Sequence, residues 1–503
     1  MNVIIDAEFN PVPSLQQIAK VQLAKTAPKA AAVAVFVKSE GDLPDALDLT
    51  REQLELAGFA GKKSDALLLP GETAKVLVGI SKGFKTAAEI RNAVACFTRN
   101  AAKFSELAVE LDALTLDGVP AREAAQAAAE GALLARYAYE PLKNKQNLVA
   151  LETLTLIGEN SEAAAGAERG TILATADRLA RDLGNTPPRH LNAYKFAEVA
   201  ERVGPEYGLE VEVFGREEII EMGLGGLLGV NAGSVQDPRL IKVSYQPEGA
   251  TEHIGLVGKG IMYDSGGISL KPSNASHCSM KMDMMGAAAV FSAMTALKEL
   301  GVKTRVTGFL MCTDNMPSGS ATKLGDVLTM RNGKTVEVRN TDAEGRLVLG
   351  DGIALAAELE VDAIVDVATL TGAAMMALGT QTAAVFANND TVAQQLQDAG
   401  KKSDETLWRL PLDLRLKKAM KSNVADFANI GANEGGAITA ALFLNEFVAG
   451  TPWGHIDIAG PMESNSDDLW RSAGSTGYAT RLLAEFAADF KKPSGDTVGT
   501  ELE

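Results

Sequence analysis

Residues 254–272 read IGLVGKGIMYDSGGISLKP, an apolar run that leads into a glycine-rich loop with two lysines and an aspartate. The apolar run predicts a buried strand at 254–258, and apolar residues at helical spacing then predict a helix at 284–300. Further elements predicted in the same way are a strand at 305–312, a helix at 347–359 and a strand at 363–368. This alternation favours a mostly parallel sheet that helices cover on both faces.

The N-terminal third carries a second α/β pattern. Residues 32–37 and 75–78 predict strands, and residues 86–107 predict a helix. An Ala- and Glu-rich helix at 161–183 stops at the breaker cluster Gly184-Asn-Thr-Pro-Pro188. We therefore expect an α/β protein with three parts. These are a small N-terminal α/β domain at 1–160, a connecting helix and linker at 161–188, and a larger C-terminal domain at 189–503 with a mostly parallel central sheet flanked by helices.

Composition narrows the class of protein. The chain has 503 residues, of which 46% are hydrophobic and 22% charged, close to the averages of globular proteins. Its net charge of −17 disfavours binding to DNA or to anionic membranes. Three widely separated cysteines suit a reducing compartment, and the N-terminus lacks the pattern of a signal peptide. The uncharged stretch 367–389 contains too many polar residues and glycines for a membrane span, so we expect a cytoplasmic protein.

Acidic residues are concentrated where strands lead into helices, which is where ligands bind in parallel sheets. Asp264 and Asp283 flank the first loop, and Asp342 and Glu344 lie in the run Asn340-Thr-Asp-Ala-Glu-Gly-Arg-Leu347. In an extended segment Asp342 and Glu344 would point to the same side. A buried cluster of carboxylates requires cations, and oxygen ligands suit Mg²⁺, Mn²⁺ or Zn²⁺. The alternative is a set of solvated loop charges, with Asp283 as a helix N-cap.

Two lysines lie in the same first loop. Lys259 stands between two glycines directly after the apolar run, and Lys271 precedes Pro272. Beside divalent cations the pKa of a lysine falls, so that its neutral amine can act as a ligand. Ordinary loop lysines remain the alternative at this stage.

These motifs resemble the leucyl aminopeptidase family, also called cytosol aminopeptidases, which are two-metal exopeptidases. The resemblance rests on Val257-Gly-Lys259-Gly, Asp264-Ser-Gly-Gly-Ile-Ser-Leu-Lys271-Pro, Met-Lys-Met-Asp283-Met and Asn-Thr-Asp342-Ala-Glu344-Gly-Arg346-Leu. Shorter matches are Asn185-Thr-Pro-Pro188, Asn315-Met-Pro-Ser-Gly319, Thr369-Leu-Thr-Gly372, Asp426 to Asn429, and His455-Ile-Asp-Ile-Ala-Gly460. It covers roughly residues 170–480, and the Asn-Thr-Asp-Ala-Glu-Gly-Arg-Leu run is highly specific.

The resemblance implies a metal-dependent aminopeptidase that releases N-terminal residues from peptides, with the C-terminal domain as a di-metal peptidase domain. It implies that Lys259, Asp264, Asp283 and Glu344 hold the tighter ion, and that Asp264, Asp342 and Glu344 hold the exchangeable one. Lys271 would stabilise the oxyanion, and Arg346 would hold bicarbonate as the general base. The implied metals are Mn²⁺ or Zn²⁺, with Mg²⁺ or Co²⁺ as alternatives. The chemistry agrees, because two metals can activate a bridging water while a cation meets the carbonyl oxygen.

The resemblance also implies a substrate pocket and partners. The matching pocket positions are Met280, Asn340, Thr369, Leu370 (through its carbonyl), Gly372, Ala459 and Met462. Small and soft side chains at these positions favour Leu- or Met-sized residues. Peptides are the expected partners, and a homohexamer is the implied assembly. The loop 272–282, which lacks the usual acidic pair, departs from the family pattern, as do Asp314, Lys323-Leu324 and residues 465–471.

Two alternative functions stay open. Gly79-Ile-Ser81-Lys-Gly83 matches the pattern of a serine-hydrolase nucleophile, although the chain has only four histidines to complete a triad. Some members of the family bind DNA through the N-terminal domain, but that region has no basic block here. No His-Glu-x-x-His motif occurs, which excludes that class of histidine-ligated metalloprotease. Residues 223–229 miss the dinucleotide fingerprint and predict a turn.

Overall fold

Two compact units make up the chain, and a computed structural model describes residues 9–45, 47–145, 149–432 and 434–499. Within these residues, the smaller unit comprises Val12–Arg178 and Ser464–Ala473, and the larger unit comprises the remainder. The sequence alone assigned residues 464–473 to the C-terminal domain. In the structure this segment packs with the smaller unit instead.

The smaller unit is built on a six-stranded sheet in the order β1-β6-β5-β2-β4-β3. All neighbouring strands are parallel except β3, which pairs antiparallel with β4 at the edge. The strands are β1 (Lys20–Ala24), β2 (Ala32–Val37), β3 (Ala66–Leu69), β4 (Lys75–Gly79), β5 (Glu106–Glu110) and β6 (Thr153–Ile157). The helices are α1 (Arg51–Leu56), α2 (Ala87–Asn100), α3 (Leu111–Thr115), α4 (Ala121–Ala135) and α5 (Ser161–Asn185), the last of which continues into the larger unit.

Helix α2 begins at a local capping signal and ends earlier than the sequence predicts. The Thr86 hydroxyl accepts a hydrogen bond from the Glu89 N–H at 3.3 Å and caps the helix. The predicted helix 86–107 was too long at its C-terminal end, because Glu106–Glu110 forms strand β5 between β6 and β2.

The segment Ser464–Ala473 is anchored in the smaller unit by a tryptophan and an arginine. Trp470 is 1% exposed and belongs to the apolar core of that unit. Arg99 donates hydrogen bonds to the carbonyl oxygens of Leu469 and Arg471, both at 2.5 Å. Burial of one large aromatic side chain and satisfaction of these carbonyls explain why so short a segment packs here.

The larger unit is built on an eight-stranded sheet in the order β15-β14-β17-β13-β9-β10-β8-β7. The run from β17 to β10 is parallel, and antiparallel pairs join β14 to β17, β8 to β10 and β7 to β8. The strands of this sheet are β7 (Glu210–Phe214), β8 (Arg239–Tyr245), β9 (His253–Asp264), β10 (Arg305–Asn315), β13 (Ala363–Ala368), β14 (Thr382–Ala387), β15 (Thr406–Arg409) and β17 (Trp453–Asp457). Shorter strands are β11 (Val327–Thr329), β12 (Thr335–Glu337), β16 (Phe427–Ala428), β18 (Glu463–Ser464) and β19 (Gly474–Ser475).

Helices flank this sheet, and some of the charged residues singled out in the sequence lie at their N-terminal ends. They are α6 (Ala193–Val203), α7 (Arg216–Glu221), α8 (Gly225–Asn231), α9 (Ala275–Cys278), α10 (Met285–Ala296), α11 (Glu344–Ala357), α12 (Gly372–Leu378), α13 (Asp390–Ser403), α14 (Gly436–Asn445) and α15 (Thr480–Asp489). Shorter 3-10 helices span Pro13–Gln16, Gly204–Tyr207, Met280–Met282 and Leu414–Met420. Both α10 and α11 are buried over almost their whole length, as expected for helices that cover a parallel sheet.

The predicted α/β class is confirmed, and two local predictions are corrected. Strand β9 runs to Asp264, well beyond the predicted 254–258, because β10 pairs with it as far as Asp264. The predicted turn at 223–229 is largely helix α8, whose Leu227 N–H donates to the buried Asp351 carboxylate at 2.9 Å. No helix in the described part of the chain is long and apolar enough to cross a membrane.

Candidate metal centre

The charged residues singled out in the sequence meet at the carboxyl edge of the parallel strands. Lys259 and Asp264 lie on β9 itself, and Thr369 directly follows β13. Glu344 is the first residue of α11, and Asp283 lies just before α10. Strands pairing in register bring residues together here that are far apart in the sequence.

Three carboxylates form the centre of the cluster. Asp264, Asp342 and Glu344 each place one carboxylate oxygen within 4.8 Å of the others. Asp342 lies in a turn and Glu344 begins a helix, so the prediction that both project from an extended segment was wrong. They still converge, because the Asp342 N–H donates to the Asn340 side chain at 2.9 Å and fixes the turn before α11.

Lys259 is buried in the middle of this cluster. Its Nζ lies 2.8 Å from an Asp283 carboxylate oxygen and 2.9 Å from a Glu344 carboxylate oxygen, and it donates to the Thr369 carbonyl at 2.9 Å. Burial opposes the charged ammonium, but the surrounding carboxylates outweigh burial and raise the pKa of Lys259. Gly345 leaves room for the lysine stem, since a Cβ there would lie 2.6 Å from Cε of Lys259.

Asp283 is a member of the cluster and not the N-cap that its position also suggested. One carboxylate oxygen accepts from Lys259 and from the Thr369 hydroxyl, the latter at 2.7 Å. The other oxygen, Oδ2, is buried and has no hydrogen-bond partner among the described residues. Burial raises the pKa of Asp283 well above its usual value, although Lys259 opposes the shift. The N-cap of α10 is Met284.

Lys271 closes the other side of the cluster. Its Nζ lies 2.8 Å from Asp264 and 2.7 Å from Asp342, and its side chain is 19% exposed. The loop returns to this position because Gly266 and Gly267 adopt positive φ angles of 89° and 65°, which glycine adopts freely. Of the two lysines, Lys271 is therefore the one at the solvent-facing side, where a substrate can approach.

Asn315 also belongs to the site, although the sequence indicated it only as part of the motif 315–319. Its Nδ2 donates to Asp264 at 2.8 Å, to the Thr341 carbonyl at 2.9 Å and to Glu344 at 3.3 Å. The signal available in the sequence was its place at the end of a buried strand, since Asn315 ends β10 beside Asp264.

Arg346 is the third residue of α11, two residues after Glu344. It is 7% exposed, and Nη1 donates to the Asn429 carbonyl at 2.8 Å. Its Nε is buried and has no hydrogen-bond partner among the described residues. Burial is the main reason that the pKa of Arg346 is lowered to about 10. A buried guanidinium N–H without an acceptor is suited to holding a small anion.

The donor chemistry of the cluster fits divalent cations. Asp264, Asp283, Asp342 and Glu344 carry four negative charges, and the two lysines supply two positive charges. Burial is the main reason that the pKa of Asp264 is raised to about 6 and that the pKa of Asp342 is also raised. The two lysines cannot neutralise all four carboxylates when these are ionised, and added divalent cations would stabilise the ionised forms.

Two loops near this edge carry the positions implied for the substrate pocket. The N–H groups of Leu370, Thr371 and Ala459 donate to one oxygen of Asp457 at 3.1, 3.3 and 3.1 Å. Sequence reasoning had not singled out Asp457, which the structure shows to order both loops. Gly372 is exposed at the start of α12.

The remaining pocket positions are less polar. Met462 is 7% exposed, and Met280 is partly buried in a 3-10 helix. The unusual loop 272–282 contains the short helix α9, which Asn274 caps by accepting from the His277 N–H at 3.0 Å. The His277 ring stacks on Tyr263 with centroids 5.9 Å apart.

The serine-hydrolase alternative finds no support. Ser81 has a positive φ of 50°, but its hydroxyl accepts from the Lys63 N–H at 3.1 Å. The four histidines of the chain all lie outside the sequence ranges of the smaller unit that holds Ser81. In the larger unit, buried His455 bonds Asp366 at 2.6 Å, and His253 bonds Thr307 at 2.9 Å.

Fold and site together define an α/β enzyme with a centre of carboxylates and lysines for divalent metals. Residues 178–484 match the family model "Cytosol aminopeptidase family, catalytic domain", and residues 33–146 match "Cytosol aminopeptidase family, N-terminal domain". The chain therefore belongs to the cytosol aminopeptidase family. It is a metal-dependent aminopeptidase, a hydrolase of peptide bonds.

Curated relatives and solved structures agree with this assignment. A probable cytosol aminopeptidase of Streptomyces coelicolor is 42% identical over 86% of this chain and 89% of its own length. One of Alkaliphilus metalliredigens is 39% identical over 91% of this chain and 95% of its own. The bottromycin maturation enzyme BotP in complex with Mn is 38% identical, with a TM-score of 0.84, covering 91% of this chain and 99% of that chain. A mutant of tomato leucine aminopeptidase is 30% identical, with a TM-score of 0.84, covering 93% and 96%.

Proposed function

We propose that this enzyme removes the N-terminal residue of peptides with two divalent metal ions bound in the acidic cluster. The observation that carries the proposal is the convergence of Asp264, Asp342 and Glu344 within 4.8 Å beside two buried or half-buried lysines. Lys259, Asp264, Asp283 and Glu344 would hold one ion, and Asp264, Asp342 and Glu344 the other. When bound, the metals supply a water of lowered pKa and a ligand position for the substrate amine.

Lys271 is assigned to the substrate carbonyl. Cations held by Asp264 and Asp342 would weaken the attraction of these carboxylates for the Lys271 ammonium, which would leave Nζ able to donate to the carbonyl oxygen. That interaction strengthens as negative charge develops on the oxygen, so it lowers the barrier and does not merely bind substrate.

Arg346 is assigned to an anion, with bicarbonate as the general base that the family resemblance implies. The support is its buried Nε without a partner and the hydrogen bond from Nη1 to the Asn429 carbonyl, which fixes the guanidinium plane. In this position the side chain orients the base without transferring a proton itself, because even a pKa lowered by burial to about 10 leaves the Arg346 guanidinium protonated at neutral pH.

The substrate backbone and side chain are assigned to the loops that Asp457 orders. The Leu370 carbonyl would accept the substrate N–H, and Asn340 and Thr369 would line the same edge. Met280, Gly372, Ala459 and Met462 would form the side-chain pocket. Small and soft residues there favour Leu- or Met-sized side chains.

The finer assignments concern the metal, the assembly and the location. We assign Mn²⁺ as the working metal because a 38% identical relative was solved with Mn, while Zn²⁺, Mg²⁺ and Co²⁺ remain the comparison metals. We further assign a homohexameric assembly on the family resemblance. We assign a cytoplasmic location on the three widely separated cysteines and on relatives named cytosol aminopeptidases.

One experiment tests the function. The chelator-stripped protein is assayed on a panel of aminoacyl amides and small peptides, with Mn²⁺, Zn²⁺, Mg²⁺ and Co²⁺ added back in turn. We expect activity only with metal, highest on Leu and Met, and none on N-acetylated leucine amide, whose amine cannot bind a metal. Comparable rates on acetylated and free substrates would contradict aminopeptidase action, and full activity without metal would contradict the assigned site.

A further inference from the structure

Asn429 lies directly after strand β16 and is fully buried. It ends the motif Asp426 to Asn429, of which the function proposed above uses only the Asn429 backbone carbonyl. Strand β16 pairs in parallel with β12, and the last main-chain bond of that pairing joins the Asn429 N–H to the Glu337 carbonyl at 2.9 Å. Beyond Glu337 the chain leaves the sheet and runs toward the acidic cluster.

The Asn429 side chain continues the hydrogen bonding where the strand ends. Its Oδ1 accepts from the Arg339 N–H at 2.9 Å and from the Asn340 N–H at 3.3 Å. Its Nδ2 donates to the Asn340 carbonyl at 2.7 Å and reaches the Ala343 carbonyl at 3.5 Å. A carboxamide can accept and donate at once, which these backbone groups require and which neither a carboxylate nor an alkyl group provides.

The backbone of Asn429 also contacts the guanidinium of Arg346. Its carbonyl accepts from Nη1 of Arg346 at 2.8 Å. One buried residue therefore touches both the segment 339–343, which carries Asp342, and the arginine on α11. Lys259 and Asp283 lie outside that segment, on β9 and before α10.

We propose that Asn429 is a positioning residue that sets the Asp342 carboxylate for the exchangeable metal ion and fixes Arg346 relative to it. The inference rests on the two-metal function proposed above. Loss of the Asn429 side chain should therefore affect the two metal sites unequally. The site that uses Asp342 loses preorganisation, whereas the tighter site keeps Lys259 and Asp283 in place. Outer groups that orient metal ligands typically account for a factor of about 10–100 in metal affinity.

The test is a Mn²⁺ titration of the metal-stripped full-length protein by isothermal titration calorimetry. For wild type we expect two classes of site. For Asn429→Ala we expect the weaker site to lose about 10–100-fold in affinity and the tighter site to change less than about threefold. Asn429→Asp keeps the acceptor and loses both donors, so it should weaken the same site, and it serves as a second variant should the alanine variant fail to fold.

The matched control is Asn388→Ala. Asn388 is 2% exposed, donates to the Thr451 carbonyl at 3.0 Å and accepts from the Trp453 N–H at 2.7 Å. It is thus another buried asparagine that supports backbone, but it bonds to none of the proposed ligands. We expect lower thermal stability in this variant with the ratio of the two Mn²⁺ affinities unchanged.

Two results would overturn the role of Asn429. One is unchanged affinity at both sites in both Asn429 variants, and the other is an equal loss of affinity at both sites, which marks general destabilisation. A wild-type protein that is fully active while binding a single Mn²⁺ would instead overturn the two-metal function, and the inference with it.

Discussion

Replacing Lys271 with methionine should change metal affinity and catalysis in opposite directions. In the structure Nζ bridges Asp264 at 2.8 Å and Asp342 at 2.7 Å, so the ammonium competes with cations for two assigned ligands. Burial disfavours this ammonium, but Asp264 and Asp342 outweigh burial and raise the pKa of Lys271. With metals bound, the same group is assigned to the developing oxyanion. Methionine keeps an unbranched chain only one atom shorter and removes the charge.

The two magnitudes follow from these contacts. A partly exposed ion pair contributes about 1 kcal/mol at most, so the loss of two pairs should tighten the exchangeable Mn²⁺ by up to about 2 kcal/mol, or roughly 30-fold. Loss of an oxyanion donor typically lowers kcat by roughly 10²–10³, or about 3–4 kcal/mol. KM should change little, because the donor acts mainly in the transition state.

The assay measures both quantities on the same protein preparation. Steady-state hydrolysis of a leucine amide with saturating Mn²⁺ gives kcat and KM, and titration of the stripped protein gives the metal affinity. Lys242→Met is the matched control, because Lys242 on β8 pairs with Glu212 at 2.6 Å and should leave both quantities unchanged. A fall in kcat of less than about tenfold, or weaker Mn²⁺ binding in Lys271→Met, would refute the assigned role.

Three further predictions address other residues. Glu344→Ala should reduce kcat to below about a tenth of wild type even with saturating Mn²⁺, because it removes a carboxylate that would hold both ions; higher residual activity argues against two metals. Arg346→Ala should lower kcat by about 10² and abolish the response to added bicarbonate, and a wild-type response would mean that Arg346 does not hold the base. Burial, with the charge of Arg305 adding, lowers the pKa of His253 to about 4, below the value near 6.5 of an unfolded chain. The unfolded state then binds the proton more readily, so stability from His253 is lost as the pH falls from about 6.5 to about 4. The free energy of unfolding of wild type, measured by denaturant titration, should therefore fall relative to that of His253→Gln across that window.

The sequence alone was sufficient for the class and for most of the chemistry. Apolar runs alternating with helical patterns specify an α/β sheet, because each local pattern follows from the side on which a strand or helix is buried. The run 340–347 and the loop around Lys271 carried the family resemblance, since residue types and spacing within one loop are local properties. The candidate ligands Asp264, Asp283 and Glu344 could therefore be named without coordinates.

Only the tertiary structure decided how these residues meet. Lys259 lies within a strand and not in a loop, because β10 pairs with β9 at Lys259 and beyond, while β13 pairs with β9 up to Gly258. The position of Asn315 at a strand end hints at a role, but the partners of the Asn315 and Asn429 amides could not be predicted, since they lie tens of residues away in the sequence.

The segment Ser464–Ala473 shows the same limit. Its sequence gives no sign that Trp470 enters the core of the smaller unit, several hundred residues from most of that core. Register between distant strands and burial against distant partners depend on the whole chain, because the free energy of each contact exists only once both sides have folded. Local patterns thus fix the chemistry that is available, and long-range packing fixes its geometry.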